Sequence, residues 1–222
     1  MKISGTEFKN FLFRKPFLKR LILMLIGVTV MGICVSVLKL THLGTDPCSA
    51  MNYGLSLRTG LQFGHIQVII ALVLFVIVIF FDWSRLGIGT IGNMLVVGYV
   101  ADLTTWFTEN VLHITVLPNL AVRVVVMLIF VFIFVVAVAL YINSGLGASA
   151  YDVLPYIIRD RLSKALNRRV SFTLVRIGYD AFFTVVAYLL GGEAGIITIL
   201  MVLMLGPVIN WMAKVIKKIL KL

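Results

Sequence analysis

Charge is scarce in this 222-residue chain, and negative charge scarcer still: nine Asp and Glu stand against twenty Lys and Arg. Charged residues make up 13% of the chain, whereas a soluble domain carries roughly 25%. Hydrophobic residues make up 61%, and the mean hydropathy is +1.08. Two cysteines, Cys34 and Cys48, lie in or beside an apolar run, too few for a disulfide framework or a thiolate metal site. Both are read as small buried residues. The histidines, His42, His65 and His113, are scattered without ligand spacing. There is no HExxH, nucleophile elbow or phosphate-binding loop, so ATP hydrolysis and intramembrane proteolysis find no support. The expectation is a protein that is not an enzyme and holds no cofactor or metal.

What the chain has instead is long apolar runs, each close to the roughly 20 residues that cross a bilayer. They fall at 21–40, 64–82, 88–107, 120–142, 170–190 and 195–213. The first follows a basic segment, yet it outruns a signal peptide's apolar stretch of about 7–15 residues and no small-x-small site follows. It is read as an uncleaved span. The net charge of +11 sits at the ends of these runs and is not interleaved with aromatics. It therefore reads as a topology signal and a contact for anionic lipid headgroups, not as a nucleic-acid surface. With the N-terminus inside, sixteen basic residues lie on inner segments and only Lys39, Arg58 and Arg123 on outer ones. Both termini are expected in the cytoplasm. Trp83, Trp106 and Trp211 fall near span ends, as interfacial anchors do.

The stretch Leu43-Gly44-Thr45-Asp46-Pro47-Cys48-Ser49-Ala50 returns, loosened, as Leu146-Gly147-Ala148-Ser149-Ala150-Tyr151-Asp152-Val153. An offset of about 103–109 residues also sets Phe63 on Phe172, Gln67 on Arg176, Thr90 on Thr198, Gly98 on Gly206 and Asp102 on Asn210. Three spans per copy would invert the second copy in the membrane, as in many secondary transporters. The expected fold is all-α: six spans in two inverted three-span repeats, 21–107 and 120–213, joined by an outer linker 108–119. A basic segment 1–20 and a basic tail 214–222 flank them. The short segments 43–60 and 144–165 are either re-entrant helices or helices lying flat at the interface, with Asp46 or Ser49, and Ser149, as caps.

Arg176 and Asp180 stand four apart in the fifth span, on one helix face where they can neutralise each other. Ionisable residues inside spans are costly and usually face the protein interior or a wet path. The alternative is a structural pair that holds the span against its neighbours. Thr90, Asn93 and Asp102 run along the third span, with Asn93 and Asp102 read as sharing a broad face and Asp102 near the outer surface. Glycines 87, 89, 92, 98, 195 and 206 suit close helix contacts. The candidate binding residues are Asp152, Arg176, Asp180, Thr90, Asn93, Gln67, Asp46, Ser49, Asp102, Thr198 and Asn210.

On these residues the chain resembles the YczE family of bacterial inner-membrane proteins, and more distantly the YitT family. The likeness covers roughly residues 20–213. It rests on Gly44, Pro47 and Gly54-Leu55; Thr59-Gly60 with Phe63-Gly64; Gly87-Ile88-Gly89-Thr90 with Asn93; and Gly98 with Asp102. In the second half it rests on Gly145-Leu146-Gly147 with Asp152, Val175-Arg176 with Asp180, Leu190-Gly191-Gly192, Gly195 with Thr198, and Gly206-Pro207. Cys48 and Ser49 stand where the family pattern has Trp and Asp, so the first copy is expected to lack its carboxylate. Ala150 and Ile197 also depart from the pattern. The resemblance implies a multi-pass protein of the bacterial cytoplasmic membrane and no particular activity.

Three functions are compatible with these residues. The first is a small secondary transporter with its site between the repeats, rocking one repeat against the other. Its substrate, a small molecule or lipid, is expected to be anionic or zwitterionic because Arg176 would stand beside helix N-termini. The second is a non-transporting membrane subunit of a larger transport complex. The third is a lipid-translocating protein. A homodimer is an assembly the sequence admits.

Overall fold

The computed structural model describes residues 15–220; the basic residues Lys2, Lys9, Arg14 and Lys221 lie outside the described residues. Among the described residues the protein has eight α-helices and no strand. They are α1 (Lys15–Thr41), α2 (Pro47–Thr59), α3 (Phe63–Asp82), α4 (Ile88–Asn110), α5 (Leu120–Asn143), α6 (Ala150–Ala165), α7 (Phe172–Leu190) and α8 (Ile196–Leu220). A short 3-10 turn, Trp83–Arg85, extends α3. Helices suit this composition because each satisfies its own backbone polar groups where no water can.

Five helical segments are long and apolar enough to cross a membrane: Phe17–Thr41, Phe63–Arg85, Leu120–Asn143, Phe172–Leu190 and Ile196–Ile219. Their outward faces carry large apolar side chains such as Ile69, Val73, Phe80, Leu128, Phe132, Phe182, Val185, Ile199 and Leu203, all exposed. Apolar surface on this scale marks contact with lipid. The protein is an all-helical membrane protein. The expected sixth span, α4, is 23 residues long but is not among those five. Its glycines and polar residues are spent on neighbours: Gly98 packs against Gln67, Thr90 ties its first turn, and Asp102 accepts a hydrogen bond from the Gly64 N–H at 2.8 Å.

The helices sort into two layers. One apolar core joins α1, α4, α5 and α8 through Val28, Val35, Val97, Val138, Met201 and their neighbours. A second joins α2, α3, α6 and α7 through Ala50, Val78, Val153, Phe183 and Ala187. Each layer draws two helices from residues before the 111–119 connection and two from after it. The contacts come in matched sets: α1 on α4 and α5 on α8, α2 on α7 and α6 on α3, α3 on α4 and α7 on α8.

The doubled motif holds these halves together. The Ile197 N–H donates to the Leu43 carbonyl at 3.1 Å, and the Gly89 N–H to the Leu146 carbonyl at 2.8 Å. Thr45 N–H bonds the Glu193 carbonyl at 3.1 Å, matched by Ala148 N–H on the Arg85 carbonyl at 3.3 Å. Each copy thus docks on the other half. Such approach needs a backbone without side chains: Gly44 and Gly147 have φ of +110° and +108°. A Cβ on Gly44 would stand 2.5 Å from Thr198 Oγ1, and one on Gly147 2.5 Å from the Gly87 nitrogen.

In segments 43–60 and 144–165 most of the N-terminal halves of α2 and α6 is buried, including Pro47, Ala50 and Tyr53 in one and Ala150, Val153 and Ile157 in the other, while Leu57, Arg58 and Arg161 are exposed. Asp46 caps α2 and Ser149 caps α6, each accepting from the N–H three residues on, at 3.1 Å. Gly44→Ala and Gly147→Ala should each cost at least about 1–2 kcal/mol from left-handed strain alone and lower the melting temperature in detergent. At Gly206 a Cβ meets only Arg176 Cγ, at 3.7 Å, so Gly206→Ala should leave melting unchanged or raise it. Equal losses at all three positions would contradict this reading of the interface.

Candidate functional site

Where the two layers meet, the N-termini of α2 and α6 converge on one buried cavity of about 70 Å³. Asp46, Pro47, Cys48 and Ser49 line it from α2, and Ser149, Tyr151 and Asp152 from α6. Gln67 of α3, Asn93 of α4 and Arg176 of α7 complete the polar wall. The opposite layer closes it with Met31, Val35, Phe134, Val138, Leu205 and Ile209.

Arg176 is the hub. Its Nε donates to Asp180 Oδ2 at 2.7 Å and a terminal nitrogen donates to Asp152 Oδ1 at 2.8 Å. The residue is 8% exposed and Asp180 is wholly buried. Asp180 Oδ1 accepts a second bond from the Tyr151 hydroxyl at 2.6 Å, and the guanidinium lies 5.2 Å from the Tyr151 ring centre. The expected i,i+4 pair is therefore real but incomplete, since a third partner reaches it from another helix. Asp152 is the more open carboxylate and also accepts from Ser149 Oγ at 2.6 Å.

The two copies of the motif exchange their polar residues. In the first, Asp46 is the cap and Ser49 stands three residues on; in the second, Ser149 is the cap and Asp152 stands three residues on. The first copy does not lack its carboxylate, as the motif comparison implied. It carries it one turn earlier, where Asp46 accepts from the Ser49 N–H at 3.1 Å and the Thr45 hydroxyl at 3.3 Å.

Seven of the candidate residues thus gather at one place: Asp46, Ser49, Gln67, Asn93, Asp152 and Arg176 around the cavity, with Asp180 beneath Arg176. The other four do not. Thr90 and Thr198 begin their helices, each accepting from a glycine N–H three residues earlier, at 3.0 and 3.2 Å; Thr90 also reaches a small side cavity shared with Gln67 and Asn93. Asp102 caps the start of α3 and faces a separate cavity with Lys39, Tyr53 and Glu193. Nine residues are about two and a half helical turns, so Asn93 and Asp102 lie on opposite sides of α4 rather than sharing a face. Asn210 is exposed, on a recess of about 140 Å³ that touches Arg176 from behind.

Two cavity groups, Tyr151 and Cys48, and one buried neighbour, Asn52, went unread in the sequence. Tyr151 sits beside Asp152 and was overshadowed by it. Asn52 is fully buried and donates to Gln67 Oε1; its place one turn beyond Cys48 was the available sign. Cys48 lines the cavity, unlike Cys34, which is buried in the apolar core. A larger groove of about 730 Å³ opens beside Arg20, Arg85 and the 145–148 loop. Its ionic side chains are exposed, and Arg85 is already paired with Asp82 at 3.0 Å. The buried charges lie in the smaller cavity, and the chemistry is assigned there.

The chain belongs to DUF6198, described as a family of unknown function, which matches residues 18–214. It is similar to an uncharacterized protein of Haemophilus influenzae, with 25% identity over 90% of this chain and 86% of that one. It is also similar to the uncharacterized protein YyaS of Bacillus subtilis, with 25% identity over 83% of this chain and 88% of that protein. No solved structure gives a significant match.

Removing one partner of a buried ionic network leaves the others uncompensated, at a cost of about 3–5 kcal/mol. Arg176→Ala should therefore lower the melting temperature sharply, and adding Asp180→Asn to it should recover part of the loss. A single variant that melts like the wild type would show that the network carries no structural energy.

Proposed function

We propose that this protein is a small secondary transporter whose site is the cavity at the N-termini of α2 and α6. The observation that carries the reading is the convergence of two capped helix starts, one from each half, on a buried cluster of three carboxylates and one guanidinium. Such a cluster is costly inside a membrane protein and is usually kept for a ligand path. Broken helices meeting at a seam between related halves are the common form of a transporter site.

In this reading α4 is the sixth crossing, 21–107 and 120–213 are inverted repeats joined by 108–119, and α2 and α6 are re-entrant. Both termini face the cytoplasm, where the basic ends meet anionic headgroups of a bacterial cytoplasmic membrane. Kinship with the YczE and YitT families belongs to the same proposal. The matched backbone bonds at Leu43 and Leu146 support the repeat. They also bear on how the protein moves. The halves are interleaved, so alternating access is assigned to sliding of the α2-α3-α6-α7 layer against the α1-α4-α5-α8 layer, in place of one repeat rocking on the other.

Cys48 offers a test that needs no knowledge of the substrate. In sealed proteoliposomes, membrane-impermeant thiol reagents should reach Cys48 from each side in turn, with Cys48→Ala as the blank. Reaction from both sides supports alternating access. Reaction from one side alone, or from neither, points to a static subunit and sinks the transporter.

A further inference from the structure

The charge balance of the cavity names its ligand class, and this inference rests on the transporter reading of the same site. Asp46, Asp152 and Asp180 bring three carboxylates, and Arg176 brings one guanidinium. Each helix N-terminus adds the equivalent of roughly +0.5 charge. The two N-termini and the guanidinium together offset about two of the three negative charges, leaving a deficit of about one positive charge. This balance favours a cation over the anionic or zwitterionic substrate expected from the sequence. Arg176 is forked between its two carboxylates, and the cap of each helix, Asp46 or Ser149, already takes one first-turn N–H.

A second observation marks the cavity as a ligand site without reference to charge. Asn93 is 7% exposed, lines the cavity, and its side chain has no hydrogen-bond partner among the described residues. A buried amide left unpaired costs about 1–3 kcal/mol, so this one is suited to a ligand, and beside the carboxylates its carbonyl oxygen is the end a cation would take. With Asp46 and Asp152 it would supply oxygen donors from three separate helices, each carboxylate oxygen keeping a second lone pair beside the hydrogen bond it already accepts. The volume is selective as well. About 70 Å³ holds a small ion with a water or two, since water takes about 30 Å³ in the liquid. Drug-sized and metabolite-sized ligands need about 300 Å³ or more.

We infer that the cavity binds one small monovalent cation, an alkali-metal ion or an ammonium group, through Asp46, Asp152 and Asn93. Arg176 and Asp180 are the fixed counter-pair that positions Asp152 and does not bind the ion.

The test is thermal unfolding of the purified full-length protein in detergent, with N-methylglucamine chloride as background because that cation is too large for the cavity. Sodium, potassium, ammonium and methylammonium chlorides are titrated separately, and the anion arm uses N-methylglucamine phosphate and sulfate. The expected result is a saturable rise in melting temperature with at least one small cation and none with the anions. Which cation acts separates the alkali-metal form from the ammonium form. Asp46→Asn keeps a residue that caps helices as well as Asp and should fold, yet the cation shift should fall at least tenfold in apparent affinity. Asn93→Ala, which removes only the neutral oxygen, should weaken it less. Stabilisation by phosphate or sulfate, no response to any of the four cations, or an undiminished response in Asp46→Asn overturns the inference. Two-sided labelling of Cys48 with no cation response would leave the transporter standing and remove only its cation.

Discussion

The contact on which the rest of the site depends is the double ion pair of Arg176 with Asp152 and Asp180. One charge in a membrane interior would be expelled or neutralised; a guanidinium forked between two carboxylates on different helices stays. It fixes α7 against α6 at the level where α6 begins. The start of α6 is set in turn by Ser149 and by the docking of Leu146 on Gly89, which belongs to the other half. Position thus passes from a backbone bond between halves, through a helix cap, to a charged side chain.

Around that hub both the outward faces and the two packed cores are mainly apolar, and the buried charges are gathered at the cavity. Within this pattern the two layers differ in kind. The α1-α4-α5-α8 layer meets the cavity mainly with Val, Met, Phe, Leu and Ile, while the α2-α3-α6-α7 layer brings nearly all the charge. A smooth apolar wall opposite a polar one is a surface that can slide without breaking ion pairs. This asymmetry between layers, together with the near-symmetry between halves, is the physical ground for the proposed motion.

Much of this was legible in the residues. Runs of apolar sequence located the long helices, and the repeated Leu-Gly motif marked the two short ones and their caps. Arg176 and Asp180 announced themselves as charges four apart in an apolar run. What spacing could not reveal was which neighbours they had. Asp152 reaches Arg176 across 24 positions, and Asn52 reaches Gln67 across 15. Local periodicity carries no information on such pairs. The same limit explains why the inferred ligand sign differs from the one expected from the sequence. Arg176 near helix starts reads as an anion site until its two partners and the cap at Asp46 are counted. Asp46 was legible both as a cap and as a candidate binding residue, but not that both caps face one space.

Transport of a small cation through this cavity is the central claim, and flux measures it most directly. The protein would be reconstituted into liposomes and loaded from outside with radiolabelled sodium or methylammonium. The account predicts saturable uptake above that of empty liposomes for at least one of the two, abolished by Asp152→Asn in protein that still elutes as a folded species. Uptake no greater than in empty liposomes for both ions, or uptake untouched by Asp152→Asn, would contradict it.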